Sequence, residues 1–331
     1  LAAPTILCLT YLSGFAFALN DPAVTTPPIL PSLHTPTLST SEAMPDEYPD
    51  GQHRFEPLPP NGSAPSVLDQ NPRYLRLAHF GSRFLPGERE LTVYLPEAYR
   101  TEPQRRFPVF YLHDGQNLID GRASFVAFHT WRADTTADAL TAAGKIEPVI
   151  LVGIANTGVR RMAEYTPTRD VRFGGGAGPR YGRLLVEELK PLIDREFRTR
   201  TAPEDTALGG SSLGGLISLA LALDYPQVFG KVAVMSPSVW WNQRAILRRV
   251  AAARPKPALR IWLDMGTAEG LRHLRDTDLL HRRLLGRGWT EGVDLEYLRV
   301  NGARHEEDAW AARFDQVLEF LFPPNADCTI G

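Results

Sequence analysis

An α/β domain with a mostly parallel central sheet and helices on both faces is the fold class the sequence predicts. Short apolar, β-rich runs recur at residues 107–112, 149–154, 206–208, 232–235, 259–263 and 293–300. Segments of helical periodicity separate most of them, and strand alternating with helix implies a parallel sheet covered on both sides. A length of 331 residues leaves room for one such domain of roughly 250 residues and an additional segment.

The additional segment lies at the N-terminus. Residues 1–19 carry no charge, are mostly apolar and end in Ala16-Phe17-Ala18, which fits a signal peptide cleaved after Ala18. The apolar stretch is short for a membrane span and polar Asn20-Asp21 follow at once, so no stable membrane insertion is expected after cleavage. A secreted or periplasmic location follows from that reading. Residues 20–70 hold eleven prolines among Ser, Thr, Asp and Gly, with no helical or strand period, and read as an extended disordered linker.

The folded domain is expected over 71–325, with a short tail at 326–331. Order begins near Tyr74, and residues 82–84 and 90–95 read as edge strands, the second with alternating character. Helical patterns cover 135–143, 180–197, 213–223, 243–252, 271–285 and 306–321. The clearest is 180–197, where Tyr181, Leu184, Leu185, Leu189, Leu192 and Ile193 share one face.

Bulk properties exclude some functions. The 36 basic and 38 acidic residues leave a net charge of −2, which gives no support to a nucleic-acid or anionic-membrane partner. The two cysteines, Cys8 and Cys328, sit near opposite ends, so neither a disulfide framework nor a metal knuckle is implied.

The chemistry concentrates at Gly209-Gly210-Ser211-Ser212-Leu213-Gly214-Gly215, between the run at 206–208 and an apolar helix. From Gly210 to Gly214 this is G-x-S-x-G, the sharp strand-to-helix turn of a nucleophile elbow. Ser212 must adopt a strained backbone there, so the residues two positions away on each side must lack bulk. The turn presents the Ser212 hydroxyl above the sheet, and the Leu213 N–H can face an oxyanion.

A serine hydroxyl needs a base, usually histidine. Of eight histidines, His34 and His53 lie in the linker, His79 on the first ordered strands, and His113 and His129 before the elbow. His273 and His281 stand among arginines on a charged helix and read as a solvated face. His305 lies between the last strand and the last helix, which suits a base. The acid should follow the run at 259–263, where Asp264 and Glu269 compete. Asp264 is still in or just leaving the strand, whereas Glu269 falls after the Gly266 turn and can reach back, so Glu269 is favoured and Asp264 is the alternative.

The second oxyanion donor should come from His113-Asp114-Gly115-Gln116-Asn117, with the N–H of Gln116, or of Gly115, as donor. Gly115 is read as letting the backbone approach the substrate closely. His113-Asp114 has no second histidine at ligand spacing, so no metal is expected, and no organic cofactor is implied. The run Phe173-Gly174-Gly175-Gly176-Ala177-Gly178 lacks the Lys-Ser/Thr of a phosphate loop and reads as a flexible loop over the site. Trp131, Trp240, Trp241 and Arg161 fall on loops at the same rim as Ser212. They are candidates for binding a planar, anionic substrate group, with packing and an Arg161–Glu164 pair as the competing explanation.

These residues resemble an esterase family of α/β-hydrolases that includes enterochelin-type siderophore esterases, feruloyl and acetylxylan esterases, esterase D-like enzymes and mycolyltransferases. The likeness spans residues 84–322. It is carried by Val93-Tyr94-Leu95-Pro96, residues 111–117, Arg161-Met162-Ala163-Glu164, the elbow, Tyr225-Pro226 with Phe229-Gly230, and Ser236-Pro237-Ser238-Val239-Trp240-Trp241, then Gly266-Thr267-Ala268-Glu269 and His305 with Trp310. The matching pieces look most like the enterochelin esterase-like branch. It implies Ser212, Glu269 and His305 as a triad and hydrolysis of a small-molecule ester through an acyl-enzyme. The large N-terminal recognition domain of the cytoplasmic enterochelin esterases is replaced by the Pro-rich segment. An acyltransferase with the same triad, a peptidase and a non-catalytic binding protein on this scaffold are the competing functions. The oligomeric state is not readable from the sequence.

Overall fold

The structure, a computed structural model, describes residues 56–57, 71–121, 124 and 129–324. The expected signal peptide, most of the expected linker and the C-terminal tail lie outside the described residues.

Nine strands form one sheet: β1 (Glu56–Pro57), β2 (Tyr74–Phe80), β3 (Arg89–Tyr94), β4 (Val109–His113), β5 (Ile150–Ile154), β6 (Thr206–Ser211), β7 (Lys231–Met235), β8 (Arg260–Gly266) and β9 (Leu295–Val300). Their order is β1-β2-β3-β5-β4-β6-β7-β8-β9. The pairs β1–β2, β2–β3 and β3–β5 are antiparallel, and every pair from β5 to β9 is parallel. Doubly covered strands need apolar residues on both faces, and β4, β5 and β6 are buried along their whole length.

Alternate residues feed two cores. Val109 and Tyr111 of β4, Val232 and Val234 of β7, and Ile261 and Leu263 of β8 join one core with the helices Leu213–Asp224 and Leu271–Leu285. Phe110 and Leu112, Ala233 and Met235, and Trp262 join the other with the helices Ala133–Ala142 and Phe314–Leu321. The predicted apolar face at 180–197 is a helical run from Gly178 to Glu196 with a π-helical turn at Leu184–Leu189, and all six residues of that face are buried. Among the described residues, no helix is long and apolar enough to cross a membrane.

Three expectations change. The first edge strand is Tyr74–Phe80, while residues 83–87 form a bend, at the start of which Ser82 Oγ accepts from Phe84 N. The register shifts between Leu77 and Phe80, so the buried positions of β2 fall at Tyr74, Leu77 and Phe80 and hide the period of two. The segment read as linker contains β1, which pairs Glu56 with Arg76 and Pro57 with Leu75. The helix expected over 306–321 is two helices, Glu307–Ala311 and Phe314–Leu321, broken at Arg313 (φ −126°, ψ 4°).

Candidate active site

Every parallel strand points its C-terminal end to one edge of the sheet, and the candidate residues follow those ends. β6 ends at Ser211, and Ser212 begins the turn with φ 60° and ψ −120°, a left-handed value that costs a non-glycine residue strain. The glycines around it are required by space. A Cβ on Gly210 would lie 3.1 Å from His113 Cβ and 3.2 Å from Gly214, and one on Gly215 would lie 2.9 Å from the Met235 carbonyl oxygen. Ser212 N donates to Met235 O at 3.0 Å, and Ser212 O accepts from Ser238 N at 3.0 Å, so the turn is stitched to the loop after β7. The Ser212 hydroxyl pairs with Ser238 Oγ at 3.4 Å. Among the described residues no hydrogen bond joins it to His305.

The two carboxylates that competed in the sequence occupy different environments. Glu269 ends a short 3-10 turn after β8, and its Oε2 lies 2.6 Å from His305 Nδ1. Its Oε1 accepts from Ser236 Oγ at 2.6 Å and from Gly266 N at 2.9 Å. Burial raises the pKa of this carboxyl, but the His305 hydrogen bond and charge, with the Ser236 and Gly266 donors, outweigh it and leave the pKa below the usual value. Asp264 instead lies within β8, fully buried. Its oxygens accept from Ser236 N, Trp262 Nε1 and Arg313 Nη2 at 3.0, 2.7 and 2.8 Å. The alternative acid is therefore a structural anchor, and it is Glu269 that meets His305. A carboxylate bonded to Nδ1 fixes a proton there and leaves Nε2 as the acceptor. The His305 ring stands edge-on to Trp310, with centroids 4.9 Å apart, and its side chain is 41% exposed.

Behind Glu269 is a group the sequence reading missed. Ser236 Oγ, while donating to Glu269, accepts from Trp310 Nε1 at 3.0 Å and from Arg313 Nη2 at 2.7 Å. The break in the last helix turns Arg313 inward to do this. The readable signal was its position: Arg313 stands three residues after Trp310 and four before Val317, on the apolar stripe of the last helix.

After β4, Asp114 has φ 55°, and Gly115–Asn117 form a 3-10 turn. Among the described residues, the N–H groups of Leu213, Gly115 and Gln116 have no protein acceptor. Gly115 is required for a different reason than expected. A Cβ there would lie 2.4 Å from Gly153 C and 2.5 Å from Ile154 N, so the glycine lets the turn press against β5 rather than against a substrate. Asn117 Nδ2 donates to Glu307 Oε1 at 3.1 Å, tying this turn to the helix that follows His305. Burial first, then Asp114, raises the Glu307 pKa. His113 is buried beneath the turn, bonded through Nδ1 to Tyr181 OH at 2.9 Å, and burial lowers its pKa to about 3.

Residues 82–321 match the family described as "Putative esterase". The chain belongs to this esterase family of α/β-hydrolases. It is 31% identical over 255 residues to the uncharacterized protein YbbA of Bacillus subtilis, covering 72% of this chain and 94% of that one. It is 25% identical over 237 residues to the ferri-bacillibactin esterase BesA of the same organism, covering 64% and 78%. Among solved structures, the BES protein from Bacillus cereus superposes with a TM-score of 0.61 at 20% identity, covering 79% and 99%.

For this esterase the remaining candidates divide. Trp131 is 1% exposed and packs on Trp310 and Phe314, with centroids 6.1 and 5.6 Å apart. Trp241 is 1% exposed and donates from Nε1 to Thr168 O at 2.8 Å. Both belong to the core rather than an open rim, because each ring fills space between packed elements. Trp240 is half-buried and meets Phe173 edge-on at 5.8 Å. Phe173 was not singled out for substrate binding, yet it is 53% exposed. Its loop is held as a hairpin by two Asp170–Gly174 backbone hydrogen bonds, with Asp170 Oδ1 accepting from Arg172 N and Phe173 N. Arg161 does not pair with Glu164. Its Nε and Nη2 hold Asp114 at 2.7 and 2.8 Å, while Glu164 pairs with Arg89, both buried. Arg161 Nη1 has no protein partner among the described residues. Nor, among them, does any group of three or more His, Cys, Asp or Glu side chains come together as metal ligands.

Proposed function

We propose that this esterase is a serine carboxylic-ester hydrolase acting through an acyl-enzyme, with Ser212 as nucleophile, His305 as base and Glu269 as the acid that orients it. The observation that carries the reading is the bond between His305 Nδ1 and the buried Glu269 carboxylate beside a strained serine turn. In the proposed cycle the Ser212 hydroxyl turns from Ser238 toward His305 and attacks the ester carbonyl. Its proton passes to His305 Nε2, and the oxyanion takes the N–H groups of Leu213 and of Gln116, or less directly of Gly115. The alcohol leaves with the proton from Nε2. A water molecule, deprotonated by the same nitrogen, then attacks the acyl-enzyme and releases the acid.

The substrate we propose is a secreted-side ester with a planar aromatic acyl group and nearby negative charge. The supports are the half-exposed Phe173–Trp240 wall beside the Ser238 loop and the remaining Arg161 Nη1. A ferri-bacillibactin esterase is among the relatives, which supports a small-molecule ester as substrate. The test is a panel of acetyl, butyryl, feruloyl and catecholate esters of one alcohol, with mass spectrometry for a Ser212 adduct. Turnover of none of them, or turnover that survives Ser212→Ala, sinks the proposal.

A further inference from the structure

A cavity of about 350 Å³ opens between the helices Trp241–Ala252 and Leu271–Leu285, on a part of the molecule with no role in the chemistry above. Both helices leave the sheet at the edge where Ser236 and Glu269 sit. A 15-residue helix runs about 22 Å. The cavity lies at the C-terminal ends of the two helices and so near the opposite edge.

Four arginines line it, Arg254, Arg282, Arg283 and Arg287, with Ala251 and Leu279 as apolar wall, and no carboxylate is among the lining residues. The chain as a whole carries −2, so this concentration is not the by-product of a basic surface. Nearby acids are already committed: Asp276 to Arg244, Asp278 to Arg299 and Tyr297, Asp224 to Arg249 and Asp294 to Lys256. Among the described residues none of the four arginines forms an ion pair.

Helix capping does not account for them either. The last carbonyls of the second helix accept from Gly286 N, Arg287 N and Gly288 N, at 3.0, 2.9 and 2.9 Å. Arg287 donates from Nη2 to the Ala253 carbonyl, which fixes one edge of its guanidinium, and its buried Nε has no partner. One guanidinium tied to a carbonyl, with three exposed ones beside it that have no counter-charge, presents the paired N–H donors that tetrahedral oxyanions accept.

We propose that this cavity binds a compact phosphate-bearing polyanion. The charge comes from the anion, and the half-exposed Leu279 receives the carbon portion of the ligand. The inference does not rest on the esterase reading, because no residue of the cavity touches the candidate active site.

Two sources present this chemistry, a soluble phosphate compound and a phospholipid headgroup. Calorimetry on the full chain in about 0.15 M salt, where surface charge is screened, with inorganic pyrophosphate as probe, tests the first. Saturable one-to-one binding is expected. Arg254→Gln with Arg283→Gln should weaken it by about tenfold or more, whereas Arg272→Gln with Arg275→Gln, on the same helix outside the cavity, should leave it within about twofold. Sedimentation with phosphatidylcholine vesicles containing phosphatidic acid tests the second, read on the same variants. Ester turnover and circular dichroism check that each variant is folded. Binding in either arm that depends on the cavity pair supports the site and identifies the source. Absence of saturable binding in both arms, or equal weakening by the two variant pairs, overturns it.

Discussion

Arg313 Nη2 lies 2.8 Å from Asp264 Oδ1, and the two side chains are 1% and 0% exposed. The same nitrogen holds the Ser236 hydroxyl that in turn holds Glu269. One buried ion pair therefore fixes the carboxylate that meets the histidine, and the two acids, one in β8 and one in the turn after it, have separate tasks. Asp264 secures the frame and Glu269 faces His305.

Glu269→Gln should lower kcat by orders of magnitude while the fold persists, since the amide cannot stabilise an imidazolium. Asp264→Asn should act on stability instead, costing about 3 kcal/mol, because it removes the nearer of the two carboxylates that face the buried Arg313 charge, at 2.8 Å, and leaves only Glu269 at 3.8 Å. Urea unfolding and kcat on both variants decide this. If Asp264→Asn keeps the parental midpoint and loses the activity, the assignment is inverted.

Ser212→Ala should remove ester hydrolysis, on the order of 10³-fold or more in kcat, with an unchanged melting temperature. Near-parental turnover in this variant takes Ser212 out of the mechanism.

Ser236→Ala tests positioning. Glu269 would lose one of two donors to Oε1, and Trp310 and Arg313 would lose a shared acceptor. We expect kcat to fall by about tenfold with KM little changed, and Ser236→Thr to restore part of it. A fall in KM-related terms alone would place Ser236 outside the triad's support.

Phe173→Ala and Trp240→Ala should each lower kcat/KM for an aryl-acyl ester by about tenfold, roughly the worth of one aromatic contact, and spare an alkyl-acyl ester of the same alcohol. Arg161→Gln should add a selective loss on anionic esters. Equal losses on neutral and anionic esters would leave Arg161 as a scaffold for Asp114 only.

His113 makes a pH prediction. Burial holds its folded-state pKa at about 3, against an ordinary value of 6.5. Between those values the unfolded chain binds a proton that the folded chain does not, so stability rises with pH across that window and is lost as pH falls through it. The drop in melting temperature from pH 7 to pH 5 should therefore shrink in His113→Gln. An unchanged drop would mean that His113 is protonated in the fold.

The sequence by itself determined the parallel sheet, because six apolar runs separated by helical patterns leave no other way to bury both faces of each strand. It determined the Ser212 turn too, since the glycines that the backbone strain requires are adjacent in the chain. The pairing of His305 with Glu269 was legible through chain order and the Gly266 turn. The tertiary structure alone decided what Asp264 does, because its partner Arg313 lies 49 residues away on a helix whose break no local pattern announces. Trp131 and Trp241 looked like rim residues because position along the chain gives which loop a ring is on, not which way it packs. The same limit hid the four-arginine cavity. Arg282 and Arg283 on the charged helix read as a solvated face until folding brings Arg254 and Arg287, from two loops, around one space with them and commits nearby acids elsewhere.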